Sequence, residues 1–190
     1  GATEKYTLDG MVTAIGAIES GGGSGGDLPE EAFRLTGDCR YRFSNNGWNW
    51  FIENYGDRIK TYNLNNTTYM FSNSTTLETI PFSLVFESKT ATSGIGIGNM
   101  FLSNSKLKVL PDIENELMVS EMSSVLHGCE NIEEIPESWV NNINFDYLHS
   151  YKWGYCDKFF YMNYRLKSIP ETFLKNLHAH PDATSTSSNG

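Results

Sequence analysis

The sequence predicts an α/β repeat fold, a solenoid in which short parallel strands form one face and helical or irregular segments the other, preceded by a short helix. Three observations predict it. An apolar pair recurs four times, followed seven positions on by Leu or Ile, ten positions on by Ile or Leu, and then by Pro: Met70-Phe71…Leu77…Ile80-Pro81, Met100-Phe101…Leu107…Leu110-Pro111, Val125-Leu126…Ile132…Ile135-Pro136 and Phe159-Phe160…Leu166…Ile169-Pro170. These prolines stand 30, 25 and 34 residues apart, the spacing of stacked supersecondary units that are each too small to bury their own apolar face. Composition agrees: a hydrophobic fraction of 39% with 13% aromatics and many Asn, Ser and Thr suits a thin core under a large decorated surface.

Taken in chain order, Leu8, Met11, Val12, Ile15 and Ile18 form one apolar stripe of a short helix that Thr7 caps. Gly10 and Gly16 weaken that helix, which needs a partner to persist. Residues 1–19 are therefore expected to be a separate module, which either covers the solenoid's open end or serves attachment or homo-oligomerisation through residues 7–19. Residues 20–26, Ser-Gly-Gly-Gly-Ser-Gly-Gly, have no side chains to pack and read as a flexible linker.

Residues 27–190 are expected to be the repeat domain, with an irregular N-terminal cap over 27–66, repeats over 67–177 and an open C-terminal tail. In the cap, Trp48, Phe51, Ile52 and Tyr55 have helical spacing, Gly56 is the expected terminator and Asp57–Leu64 the expected strand. Tyr41-Arg42-Phe43-Ser44-Asn45 echoes Tyr69-Met70-Phe71-Ser72-Asn73, although the downstream spacing differs. Five of the six prolines follow Leu or Ile. Proline makes the preceding residue extended and suits the first position of a helix, so each is expected to switch strand to helix. The acids after it, Glu30, Asp112, Glu137 and Glu171, complement the helix dipole, with Phe82 the exception.

Leu77, Ile80, Leu107, Leu110, Ile132, Ile135, Leu166 and Ile169 are the expected repeat core, with Glu133 and Glu134 on a solvated face of a strand. The fourth position after each leading apolar residue is Ser74, Asn104, Cys129 or Asn163. A small or amide side chain there is expected to face inward and to bond backbone groups left unpaired by the bend.

The units M-F-x-x-S-x-x-L-x-x-I-P, and above all Val125-Leu126-His127-Gly128-Cys129-Glu130-Asn131-Ile132-Glu133-Glu134-Ile135-Pro136, resemble the BspA-type leucine-rich repeats of bacterial surface proteins. The resemblance covers about residues 59–177, and Asn66-Thr67-Thr68-Tyr69-Met70-Phe71 fits the phrase that precedes each unit in that family. Such repeats also occur in tail proteins of phages and prophages of gut bacteria, where a short helix and Gly-rich joint resemble residues 8–26. The resemblance implies a virion tail or receptor-binding protein, or else a cell-surface adhesin. It departs from the family in its variable spacing, which makes Glu87–Asn99 and Asn141–Asp157 insertions where binding is expected.

Net charge is −9 with no Lys/Arg cluster, so a nucleic acid partner is not expected. No apolar run reaches the roughly 20 residues that span a bilayer. Cys39, Cys129 and Cys156 have neither zinc-site nor disulfide-framework spacing. His178 and His180 lack a third ligand, and Ser93-Gly94-Ile95-Gly96-Ile97-Gly98 lacks phosphate-loop spacing and reads as a flexible loop. No catalytic constellation, metal site or cofactor is expected. The chain begins Gly1-Ala2-Thr3 and stops inside what would be the insertion before another repeat, so a longer parent protein is expected.

Candidate contact residues come from aromatic density. Asn141–Tyr164 carries Phe145, Tyr147, Tyr151, Trp153, Tyr155, Tyr161 and Tyr164. Such rings either fill the core beneath a long loop or stack on sugars or a protein epitope. Tyr147, Tyr151, Trp153 and Tyr155 are the expected ligand contacts, with Trp48 and Trp50 a second group. The expected partner is a protein or glycan on a cell surface, met at the virion tail or outside the cell.

Overall fold

The computed structural model describes residues 33–88, 94–146, 148 and 156–178. The expected N-terminal helix, the Gly/Ser linker and the Leu28-Pro29 switch lie outside the described residues. The elements are β1 (Phe33–Asp38), α1 (Asn49–Tyr55) with a 3-10 turn Gly56–Arg58, β2 (Ile59–Asn66), β3 (Ile95–Gly96), β4 (Leu117–Glu121), α2 (Glu137–Asn142), β5 (Ile143–Asn144) and α3 (Glu171–His178). The five strands form one parallel sheet in sequential order, and its two edges do not meet. Parallel neighbours need a crossover between them, so each strand is reached only after the chain has passed round and returned one strand further on.

After the sheet, every pass makes the same turn. Alternate N–H groups bond within it: those of Met70, Ser72, Met100, Leu102 and His127 donate to the carbonyls three residues back. The intervening N–H groups donate to the next pass. Tyr41, Phe43 and Asn45 donate to Thr68, Met70 and Ser72. Tyr69, Phe71 and Asn73 donate to Gly98, Met100 and Leu102. Asn99, Phe101 and Ser103 donate to Ser123, Val125 and His127, and Ser124, Leu126 and Gly128 to Asp157, Phe159 and Tyr161. Two left-handed residues four apart in each pass create this alternation: 41/45, 69/73, 99/103, 124/128 and 158/162. All but Gly128 carry a side chain, at a strain of about 1–2 kcal/mol each, which the junction bonds and the packing offset.

Inside, the rings of Phe43, Phe71 and Phe101 stack one pass upon the next, at 5.4 and 5.3 Å between centroids and 14° and 2° between planes. Leu77, Ile80, Leu107, Leu110, Ile132 and Ile135 are buried, while Leu166 and Ile169 in the last described pass are half-buried against one continuous core. The polar column beside them is repeated too. Ser74 Oγ donates to Phe43 O at 2.6 Å, Asn104 Nδ2 to Phe71 O at 2.8 Å, Cys129 Sγ to Phe101 O at 3.1 Å and Asn163 Nδ2 to Leu126 O at 2.7 Å. Burial pushes the Cys129 thiol up to about 12, so it stays a protonated donor.

Three expectations need correction. The Leu/Ile-x-x-Ile segments are not strands: Ile132–Ile135 forms none, and the strands lie upstream of each apolar pair. An i, i+3 apolar spacing does not alternate faces, and among the described residues the only backbone bonds between these segments are Lys108 N to Glu78 O and Lys167 N to Glu133 O. Glu133 is nonetheless on the surface, ion-paired with Lys167. Proline starts a helix at Pro136 and Pro170 but not at Pro81 or Pro111, where the chain stays extended with a parallel bridge Leu84↔Ile113. There the buried residues Phe82, Leu84 and Phe86 recur with period two, and that burial overrides the helix-start signal.

Gly56 ends α1 as its C-cap, but not in the left-handed geometry usual for a glycine cap. It keeps right-handed geometry, φ −61°, and leads into the 3-10 turn. The Ser93–Gly98 segment and the insertion Glu87–Asn99 contain β3 rather than a free loop, with Ile95 and Ile97 fully buried. Glycine is required there by proximity, since a Cβ on Gly94 would stand 2.7 Å from Ser120 N on β4.

Candidate functional site

Of the expected contact residues, Tyr147, Tyr151, Trp153 and Tyr155 lie outside the described residues. Trp48 and Trp50 flank the start of α1. Trp48 occupies the N-cap in left-handed geometry, φ 62°, and its half-buried ring meets Phe51 edge-on at 6.1 Å. Trp50, one residue into the helix, turns outward and is 56% exposed. Its ring lies 6.3 Å from Trp48 and 6.4 Å from Tyr55. The structure brings these three rings into one surface cluster, with only Trp50 presenting most of its area to solvent.

The Asn141–Tyr164 stretch divides. Phe145 is buried and meets Phe173 edge-on at 5.5 Å, as a core residue does. Tyr161 and Tyr164 are 55% and 70% exposed. His127 from the preceding pass packs edge-on against Tyr161 at 4.9 Å. Burial, helped by the nearby Lys158 ammonium, holds the His127 imidazole below its usual range, so the ring is neutral at neutral pH.

A third aromatic feature lies outside the expected contact residues. Tyr41 and Tyr69 occupy equivalent left-handed positions in consecutive passes and stack at 4.9 Å and 7°, with Tyr41 57% exposed. Beside them Asn73 Nδ2 donates to Asn45 Oδ1 at 3.3 Å. The Tyr-x-Phe-Ser-Asn echo places those pairs in register, so they were findable from the chain alone. Flat rings with amide neighbours offer apolar faces and directional donors together, the chemistry that binds sugar rings or a polar protein epitope.

On the side of the prolines, two clefts of 580 and 530 Å³ share Asp57 and Pro81 in their linings. Glu53, Asp57 and Glu78 line the first, and Asp112, Glu114 and Lys60 the second. Glu78 is tied to Lys108 at 2.5 Å, which holds its carboxyl below the usual range, and Asp112 accepts from Ser138 Oγ at 2.6 Å. Among the described residues no three His, Cys, Asp or Glu side chains are grouped to hold a metal ion, and no helix is long and apolar enough to cross a membrane. Compared with known proteins, the chain matches no family model, no curated protein and no solved structure.

Proposed function

We propose that the described passes are turns of a leucine-rich-repeat solenoid of the BspA type. On this reading the chain is a non-enzymatic binding scaffold within a phage or prophage tail protein that contacts a host-surface receptor. The observation that carries the reading is the identical triplet of backbone bonds at four successive junctions, with Ser74, Asn104, Cys129 and Asn163 bridging them from within. Repeats of this kind present surface rather than a single pocket, and here that surface carries Tyr41, Trp50, Tyr161 and Tyr164, all more than half exposed. Residues 7–19 supply attachment or self-association.

Two measurements test the proposal. Sedimentation velocity on the whole chain and on a chain lacking residues 1–19 is expected to give a stable trimer that dissociates on truncation. A monomer in both cases favours the second reading, a cell-surface adhesin for a host protein or glycan. Fluorescently labelled chain is then expected to bind bacterial cells saturably, with binding reduced at least tenfold by Trp50→Ala or Tyr164→Ala. Binding to mammalian mucin glycans but not to bacteria sinks the tail reading and supports the adhesin.

A further inference from the structure

Across β1, β2 and the extended segments 82–86 and 112–114, alternate side chains leave the core and form two outward rows. Arg34 pairs with Lys60, and Thr36 with Tyr62. Thr61 Oγ1 donates to Ser83 O at 2.9 Å and accepts from Val85 N at 2.7 Å, which sets Ser83 beside Lys60 and Val85 beside Tyr62. The parallel bridge Leu84↔Ile113 then sets Asp112 beside Ser83 and Glu114 beside Val85. Ile59, Leu84 and Ile113, which alternate with these residues, are buried, so both rows lie on the face turned away from the core.

Charge runs across this face in one direction. Its β1 and β2 side carries Arg34 and Lys60 and its far side Asp112 and Glu114, all four exposed. None of the four enters an ion pair among the described residues. Lys60 and Asp112 stand two strand spacings apart, about 10 Å. Both line the 530 Å³ cleft, together with the half-buried Tyr62 and Val85.

We propose that this face pairs with the same face of a second copy, about a two-fold axis that runs along the strands between β2 and residues 82–86. The axis reverses the order of the strands, so Arg34 of one copy faces Asp112 of the other and Tyr62 faces Val85. Apolar groups are covered at the centre and both charged ends are compensated, as in a small isologous interface. The charge gradient selects the occupant. A basic partner is repelled by Arg34 and Lys60 and an acidic one by Asp112 and Glu114, whereas the reversed copy satisfies both ends at once. A net charge of −9 makes two copies repel over most of their surface, which favours contact where cations are on offer. The proposal is independent of the tail-protein reading, and residues 7–19 are intact in every variant that tests it.

The test is sedimentation velocity on the whole chain, from micromolar to millimolar protein, combined with charge exchange. Whatever the mass of the dilute species, the mass is expected to rise with protein concentration, and molar salt to move that rise to higher concentration. Arg34→Glu with Lys60→Glu, and separately Asp112→Lys with Glu114→Lys, are each expected to weaken the association at least tenfold and to keep the wild-type far-ultraviolet circular dichroism. An equimolar mixture of the two variants is expected to regain it, because each reversed end then meets its complement. Where a double substitution alters the dichroism, Lys60→Glu and Glu114→Lys alone serve in the same scheme, both being exposed. A wild-type chain whose mass never rises leaves the face to another occupant and overturns the proposal. So do variants that associate as the wild type does, and folded variants whose mixture fails to associate.

Discussion

Asn104→Asp is the sharpest probe of the inward column, because it changes one atom's hydrogen-bonding sense at almost constant volume. Asn104 is fully buried, and its Nδ2 donates to Phe71 O at 2.8 Å and to Phe101 O at 2.9 Å. A carboxylate there would face two carbonyl oxygens, so the acid must stay protonated and can restore only one of the two bonds. Losing one bond costs about 1 kcal/mol. Keeping a group of ordinary pKa near 3.9 protonated at pH 7 costs about 4 kcal/mol more, at about 1.4 kcal/mol per pH unit. The folded pKa is raised, so the unfolded variant releases its proton first. Stability is therefore nearly retained below about pH 4 and falls as pH rises. Urea denaturation followed by far-ultraviolet circular dichroism at pH 4, 5.5 and 7 is expected to show a deficit growing from about 1 to about 5 kcal/mol, with Asn104→Ser losing about 1–2 kcal/mol at every pH. A deficit of Asn104→Asp that stays under about 0.5 kcal/mol and does not vary with pH would refute the reasoning, since a solvent-facing amide behaves in that way.

The remaining predictions concern other parts of the same architecture. The Cys129 thiol, pushed up to about 12 from 9.0, keeps its proton in the folded chain after the unfolded chain has lost it, so stability is whole below pH 9 and declines by about 1.4 kcal/mol per unit above it. Cys129→Ser should abolish that alkaline slope in guanidinium melts. Gly94→Ala is expected to cost about 1–3 kcal/mol by forcing β3 away from the β4 backbone, read as a lowered urea midpoint. Trp139→Phe removes the bond from Nε1 to Pro111 O at 2.8 Å and fully buried volume. It should lose about 2–3 kcal/mol by the same assay and remove the blue-shifted emission component of a fully buried tryptophan.

Much of the repeat was legible because it is written in residue types with a fixed offset. Ser74, Asn104, Cys129 and Asn163 differ chemically, yet each can donate one hydrogen bond, and the shared offset puts each donor beside the preceding pass's carbonyl. The Tyr41–Asn45 and Tyr69–Asn73 phrases match for the same reason, since both build the same pair of left-handed residues. The contact surface was less legible. Aromatic density singled out Trp48 and Trp50 together, but only the fold separates a cap held against Phe51 from a ring turned to solvent.

By itself the sequence determined that the chain is punctuated into units, which apolar side chains recur in each, and where a donor is needed inside. These follow from local chemistry that each unit repeats. Tertiary structure alone decided where the strands other than β2 lie, whether Pro81 or Pro136 is followed by extended chain or helix, and that Ile95–Gly96 belongs to the sheet. A strand two residues long has no period to read. Its conformation is set by carbonyls and N–H groups 24 to 30 residues away in the neighbouring passes, and those partners exist only once the chain has come round to meet them.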